Sequence, residues 1–492
     1  MDLPDAGSPF DKLPSELIFS IFDYLELKSL KAVSLTCHRL EQMFADYSAC
    51  RFVLRIREER NSYVFLPPLI EIADKVEAAT KLLNRTKRCY RRVHLDVQYQ
   101  PTADSIEHMQ AVLDKLFAVR LMQQLTVLKL DLPAVPEKLA VQLSDAVSML
   151  DSLQELAISY KQRDNQSTFS QLYIVNRSLH KLVLNCVWPG RINCPNMQCL
   201  EVLANVDVWY MIGEQYALHG DAEPYWKLKH LKELFMATHL LYRALDHYLQ
   251  KTETYKSVFC QQLTQLKKLR LFHSCLVTDK VLKAICESCV HLENLSFTSM
   301  YISNPDSFRY ISNLTNLRQL SIESYISGLS FAGVRLPHLK TLLLGNVNID
   351  WPSLAKVESI ESLMIKLNVS QVVPACDLFA GHMRRLRLLW IKFDININHE
   401  RYREIFAALS KLPALETLIL HNVLRLDCLK EMVPIPRLTR LVVCDIFPKC
   451  ISVSPADVAK RVPKVDRIEV PWINKVNKEM KQRFGCNAGF FH

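Results

Sequence analysis

Glycine is nearly missing from this chain, with 10 in 492 residues, while apolar residues make up 49%. That balance excludes a disordered or low-complexity chain and leaves no material for a phosphate-cradling glycine loop. Long apolar runs are missing as well. No stretch approaches the ~18 continuous apolar residues of a membrane span. Met1 to Pro9 lacks the basic and apolar regions of a secretory signal. The 15 cysteines are odd in number and follow no framework spacing, which predicts free thiols in a reducing cytoplasm or nucleus. Asn-x-Ser/Thr triplets such as Asn84-Arg85-Thr86 then carry no glycosylation meaning. No Gly-x-Ser-x-Gly elbow is present, and His399-Glu400 lacks the second histidine of a His-Glu-x-x-His zinc helix. The expectation is a non-catalytic chain without cofactor or metal. The net charge of +10 is dispersed, and its tightest cluster, Lys87-Arg88-Cys89-Tyr90-Arg91-Arg92, reads better as a solvated helix-to-strand corner than as a nucleic-acid patch. Neither nucleic acid nor membrane is predicted as a direct partner.

What the chain does have begins at Leu13-Pro14-Ser15-Glu16-Leu17-Ile18-Phe19-Ser20-Ile21-Phe22-Asp23-Tyr24-Leu25. Pro14 can open a helix, since the first-turn amide it lacks has no partner anyway. Glu16 falls in the first turn, where a negative charge suits the helix dipole. Leu17, Ile18, Ile21, Phe22 and Leu25 recur at helical spacing, and Leu30, Val33 and Leu35 repeat the pattern before Cys37. Helices this short, with this much apolar surface, need a partner chain. These residues resemble the F-box motif, in which Leu-Pro-x-Glu-Leu and Ile-Phe-x-Tyr-Leu stand in this register and an aromatic residue follows the cysteine. Here that aromatic position is Leu40, in Cys37-His38-Arg39-Leu40. The resemblance implies docking onto the Skp adaptor and cullin scaffold of a ubiquitin ligase through Leu13, Pro14, Glu16, Leu17, Ile21, Phe22, Leu25, Leu30, Cys37 and Leu40.

The rest of the chain repeats one signature: an apolar residue, two variable, an apolar, one variable, an apolar. Leu125-Thr-Val-Leu128-Lys-Leu130, Leu266-Lys-Lys-Leu269-Arg-Leu271 and Leu415-Glu-Thr-Leu418-Ile-Leu420 are clear copies among more than a dozen between Tyr90 and Val470. Most lie roughly 21 to 29 residues apart, the period of leucine-rich repeats. One such strand is unstable alone; stacked copies merge their apolar faces into one core. Helical runs between copies, such as 280–285 and 402–409, predict an outer convex layer. The expected fold is therefore α/β, a small helical module at 8–50, a capping strand and helix at 51–89, a leucine-rich-repeat solenoid at 90–470 and a tail at 471–492. Pro67 and Pro68 mark a turn before a predicted helix at 69–83, and no flexible linker is visible. Within 266–295, Ser274, Cys289 and the pair Thr278-Asp279 resemble the cysteine-containing repeat subclass of F-box proteins, with Thr278 and Asp279 capping the next helix. Cys286, Cys289 and His291 do not read as a metal site, since no second ligand pair lies at suitable spacing, and the cysteines read as buried repeat residues.

Variable strand positions predict a binding face for an unidentified substrate protein: Phe235, Arg270, Phe272, Glu323, Lys366, Trp390, Lys392, His421 and Glu469. Phe272 and Trp390 are either interaction anchors or residues covered by a loop or the C-terminal tail. The tail, ending Phe490-Phe491-His492, either caps the last repeat or folds onto that face. The widened spacing between Val202 and Leu231, with Trp209, Tyr210, Tyr225 and Trp226, marks a further candidate loop. As a whole the sequence resembles F-box/leucine-rich-repeat substrate receptors of Skp–cullin–F-box ubiquitin ligases; a repeat scaffold without ligase activity is the alternative.

Overall fold

The computed structural model describes residues 12–51, 54–57, 91–96, 124–132, 137–160, 171–204, 226–238, 256–272, 277–299, 304–324, 328–394, 397–422, 431–444 and 467–469, with a few single positions between them. The predicted helix at 69–83, the inserted aromatics before Trp226, Ser274 and the tail at 471–492 lie essentially outside these residues. The chain divides into two compact units, one comprising Met1–Val206 with Glu214–His230, the other Asp207–Gly213 with Leu231–His492. No described helix is long and apolar enough to cross a membrane.

The first unit opens with three helices, α1 (Ser15–Asp23), α2 (Leu27–Ser34) and α3 (His38–Arg51). A parallel sheet comes next, built from β1 (Leu54–Arg57), β2 (Arg92–Asp96), β3 (Val127–Leu132), β4 (Glu155–Tyr160), β6 (Lys181–Asn185) and β8 (Cys199–Ala204). The register puts leucine on leucine: Leu128 pairs Leu156, Leu156 pairs Leu182 and Leu182 pairs Leu200. The second apolar position does the same through Leu130, Ile158, Leu184 and Val202. Both rows are essentially fully buried, each side chain contributing ~1.5–3 kcal/mol of hydrophobic stabilisation.

The outer layer of this unit corrects one expectation. Described positions between β2 and β3, Leu113, Asp114 and Phe117, are helical, and the crossover between β3 and β4 is the helix α4 (Glu137–Ser148). The next ones are strands, β5 (Gln171–Val175), β7 (Trp188–Asn193) and β9 (Trp226–Lys227), which pair in parallel as a second sheet. For β7 the reason is length. Leu182 and Leu200 stand 18 residues apart, and after the β6 strand and two turns too little chain is left for a helix of several turns. Cys186 makes the turn after β6 with φ 57°.

Among the described residues the second unit carries ten parallel strands, β10 (Glu233–Thr238), β11 (Lys268–Phe272), β12 (Asn294–Ser299), β13 (Gln319–Ser324), β14 (Thr341–Gly345), β15 (Ser362–Leu367), β16 (Leu388–Phe393), β17 (Thr417–His421), β18 (Arg440–Cys444) and β19 (Arg467–Glu469). Here the crossovers include the helices α5 (Asp279–Ser288), α6 (Trp351–Leu354), α7 (Val372–Gly381) and α8 (His399–Leu409). A 3₁₀ segment at Pro305–Asn313 replaces an α-helix between β12 and β13. Helix α5 starts at Thr278, whose side chain accepts a hydrogen bond from the Val281 amide and so satisfies an otherwise orphaned donor. It buries Val281, Leu282, Ile285 and Cys286. Asn398 caps α8 in the same way through the Arg401 amide at 3.1 Å. Asn346 and Asn422 end β14 and β17 in the left-handed region, φ 43° and 59°, which asparagine tolerates better than bulky residues.

Candidate functional site

Two surfaces carry the residues that the sequence singles out. The first is the helical module. Pro14 stands at the N-cap of α1, its carbonyl accepting the Leu17 and Ile18 amides at 3.1 and 3.2 Å. The Arg39 guanidinium donates to the Leu13 carbonyl and so ties the entry of α1 to α3. A small core of Ile18, Phe22, Leu30, Leu40, Phe44 and Tyr47 holds the three helices together. Phe22 meets Phe44 and Tyr47 edge-on, with centroids 6.4 and 5.3 Å apart, and the Tyr47 hydroxyl donates to Asp23 at 2.8 Å.

The ten nominated contact residues therefore divide. Phe22, Leu30 and Leu40 are buried within the module and belong to its core, a correction to their reading as contact residues. Leu40 fills that core from α3, so the position bearing an aromatic in the resembling family works here as inward packing. Leu13, Leu25 and Cys37 are half-buried against the same core. Pro14, Glu16, Leu17 and Ile21 face solvent. Sequence reasoning overlooked two more exposed apolar residues, Tyr24 at 91% and Leu35 at 85%. The signal was available: Leu17, Ile21 and Tyr24 are spaced i, i+4, i+7, so they form an outer stripe on α1, about a third of a turn round from the inner stripe of Ile18 and Phe22. A short helix with two apolar stripes has one for its own core and one left over.

The second surface is the variable face of the second unit, the side of the sheet opposite the leucine rows. Register places Arg270, Ser296, Ser321, Leu343, Met364, Trp390, Ile419 and Val442 in one row across β11 to β18. Trp390 is 2% exposed, and Leu343, Met364, Ile419 and Val442 are buried with it. Trp390, Phe272 and His421 are thus covered within the chain, which decides between open anchors and covered residues in favour of the second. The nominated residues do cluster. Trp390 lies 5.9 Å from His421 and Phe235 lies 5.7 Å from Phe272, centroid to centroid. Lys366, Lys392 and His421 stand opposite one another on successive strands, and Lys366 donates to Asn346 at 2.7 Å. Burial pushes the Glu323 carboxyl up to about 7, although Lys392 and Lys366 pull the other way. Glu469 lies on β19, and its side chain is outside the described set.

The variable face of the first unit is polar. The His94 Nε2 and the Asp131 carboxylate are hydrogen-bonded at 2.7 Å, and Lys129 sits 3.3 Å from the same carboxylate. The ligand atoms of His94, Asp96 and Asp131 lie within 4.8 Å of one another, a set chemically able to hold a cation. Lys129 and His94 already engage Asp131, so a cation would have to displace them. Cys260, Cys286 and Cys289 are fully buried in the second unit, and burial pushes the Cys289 thiol up to about 12. The thiol form suits a core residue rather than a metal ligand, and His291 is exposed, away from that core.

Comparison with known proteins bears on both surfaces. Residues 10–51 match the family model described as F-box-like. No curated protein matches the sequence. Among solved structures, an internalin (inlF) from Listeria monocytogenes is similar, at 15% identity over 75% of this chain and 95% of that one, with a TM-score of 0.30. The repeat architecture rests on the strand register rather than on that likeness. The N-terminal module is thus an F-box-like domain, and the strands beyond it, with leucine on leucine in register, have a leucine-rich-repeat-like α/β fold.

Proposed function

We propose that this chain is the substrate-recognition subunit of a Skp–cullin–F-box ubiquitin ligase, in which the helical module docks on the Skp adaptor and the repeat array holds a target protein. The observation that carries the reading is the outward stripe of Leu17, Ile21 and Tyr24, with Leu35, on a domain matching the F-box-like model. Four large apolar side chains left in water on so small a module are a surface built for a partner. Burying each contributes ~1.5–3 kcal/mol. The chain itself is non-catalytic in this reading. It raises the effective concentration of target lysines near ubiquitin-charged enzyme carried by other subunits. Free cysteines, among them the buried Cys194, Cys260, Cys286 and Cys289, suit a reducing cytoplasmic or nuclear setting.

The test is reconstitution with purified adaptor and cullin. Leu17→Asp/Ile21→Asp should lose adaptor binding altogether while keeping the melting profile of the parent, because both side chains face outward. An intact, folded chain that never binds the adaptor would make the protein a repeat scaffold. Adaptor binding without any ubiquitin transfer to co-purified proteins would do the same.

A further inference from the structure

The strands of the second unit begin on a ladder of charged side chains. Backbone hydrogen bonds of 2.8–2.9 Å stack Lys267, Glu293, Arg318, Lys340, Glu361, Arg387 and Glu416 in that order, each amide donating to the carbonyl of the rung before. Three neighbouring couples close on themselves: Lys267 with Glu293 at 3.4 Å, Lys340 with Glu361 at 3.0 Å and Arg387 with Glu416 at 2.8 Å. Seven rungs cannot all pair. Arg318 is left over, between a carboxylate already engaged on one side and an engaged ammonium on the other. Among the described residues no acid reaches its guanidinium.

That arginine lines an open cleft of roughly 430 Å³ with Gln265, Lys267, His291, Glu293, Asn316 and His338. Glu293, the one acid in the lining, is taken by Lys267. Gln265, His291, Asn316 and His338 make no side-chain hydrogen bond to another described residue, and all are exposed. The lining is thus rich in free donors, holds a net positive charge and is mainly polar. It crosses four successive repeats, which at ~4.8 Å between strands is about 14 Å. An extended peptide covers that distance in about four residues.

We propose that this rim cleft binds a short acidic peptide segment of a partner protein, with Arg318 receiving a carboxylate in a two-point hydrogen-bonded ion pair. Guanidinium geometry matches a carboxylate fork, and the neighbouring amides and imidazoles supply donors for the flanking peptide carbonyls. With Glu293 offset by Lys267, the positive charge of Arg318 is left to orient the segment at low ionic strength. The proposal adds a partner chemistry to the reading that the array holds a target protein, and it rests on that reading. Its test does not use the adaptor, so the two can fail separately.

The probe is a fluorescein-labelled Gly-Glu-Asp-Glu-Gly peptide, titrated by polarisation against the full-length chain. The comparison peptide is its amide counterpart, Gly-Gln-Asn-Gln-Gly. The acidic peptide should bind, weaken as salt is raised, and lose at least about tenfold in affinity with Arg318→Gln. Arg318→Lys should recover only part of the loss. Arg401→Gln, which removes an arginine already paired with Glu404, should leave binding at the parent value. Equal binding by parent and Arg318→Gln overturns the proposal, as does equal binding of the two peptides or no binding of either. Inorganic phosphate is titrated alongside. Phosphate binding that depends on Arg318 without any peptide binding would make the cleft a small-anion site and also overturn the proposal. Matched thermal melts of the variants exclude misfolding as the cause.

Discussion

The two units share one frame and use it differently. Within each unit, the strands from β2 to β8 of the long sheet and those from β10 to β18 set their two apolar positions in register with those of their neighbours, and those rows are buried alike. The variable positions diverge. In the first unit they are His94, Lys129, Ala157 and Val183 in one row and Asp96, Asp131, Ser159 and Asn185 in the next, mostly polar and partly exposed. In the second they run to Leu343, Met364, Trp390, Ile419 and Val442, all buried. The rims diverge in the opposite sense. In the first unit the rungs that follow Arg91 are Thr126, Gln154, His180 and Gln198, linked as in the second unit but carrying little charge, while the second unit's rungs carry charge at every step from Lys267 to Glu416. A leucine-rich-repeat frame thus fixes which positions form the core and leaves the remaining positions to decide where partners find a foothold. In the first unit the polar positions lie on the sheet face; in the second they lie along the strand edge.

The contrast is most exposed to test at Trp390. If the second unit's variable face is core, Trp390→Ala should cost about 3–5 kcal/mol in urea unfolding, as a buried aromatic does. Lys129→Ala on the equivalent row of the first unit should stay under about 1 kcal/mol. Similar costs for the two would remove the distinction. A smaller effect, and one that depends on pH, is expected at Glu323. Burial keeps this carboxyl protonated to about pH 7 in the folded chain, whereas the unfolded chain gives the proton up in the ordinary carboxylate range. The folded state therefore binds more protons between those limits, and stability falls as pH rises through them. Glu323→Gln should match the parent near pH 4 and exceed it at pH 8, by about 3 kcal/mol at most. Equal differences at both pH values would place the carboxyl in water. Smallest is Asp131→Asn, which weakens the contacts to His94 and Lys129 on the polar face and should cost about 1 kcal/mol. An unchanged urea midpoint would show that this cluster is ornamental to stability.

Much of this was readable in the residues themselves. The Leu-x-x-Leu-x-Leu copies at 125–130, 266–271 and 415–420 run into β3, β11 and β17, since a period of two in apolar side chains leaves no other way to bury them together. The covering of the second unit's variable face was also written there, in the runs Leu342-Leu343-Leu344, Leu389-Trp390-Ile391 and Leu441-Val442-Val443. Three apolar residues in succession mark a strand buried on both faces, not one facing water. Taking every variable position as exposed overlooks that signal. The division of α1 into inner and outer stripes was harder to see, because Leu17, Ile18, Ile21 and Phe22 form one apolar band in sequence. Only the packing partners on α3, Phe44 and Tyr47, decide which edge turns inward. The odd rung at Arg318 was beyond sequence altogether. Its isolation depends on which neighbours pair first, a matter of distances between side chains that lie 21 to 26 positions apart along the chain.

The spacing between the helical module and the sheet has a mechanical meaning. Helix α3 ends at Arg51 and β1 begins at Leu54, so two residues join them, and two residues span about 7 Å even fully stretched. A long tether lets its cargo sweep a volume and meet a reaction centre by chance encounters. A joint this short leaves almost no such volume. A body gripped at Leu17 and Ile21 would be carried like the arm of a jig, and the side chains it presents would be chosen by where they stand rather than by how often they collide.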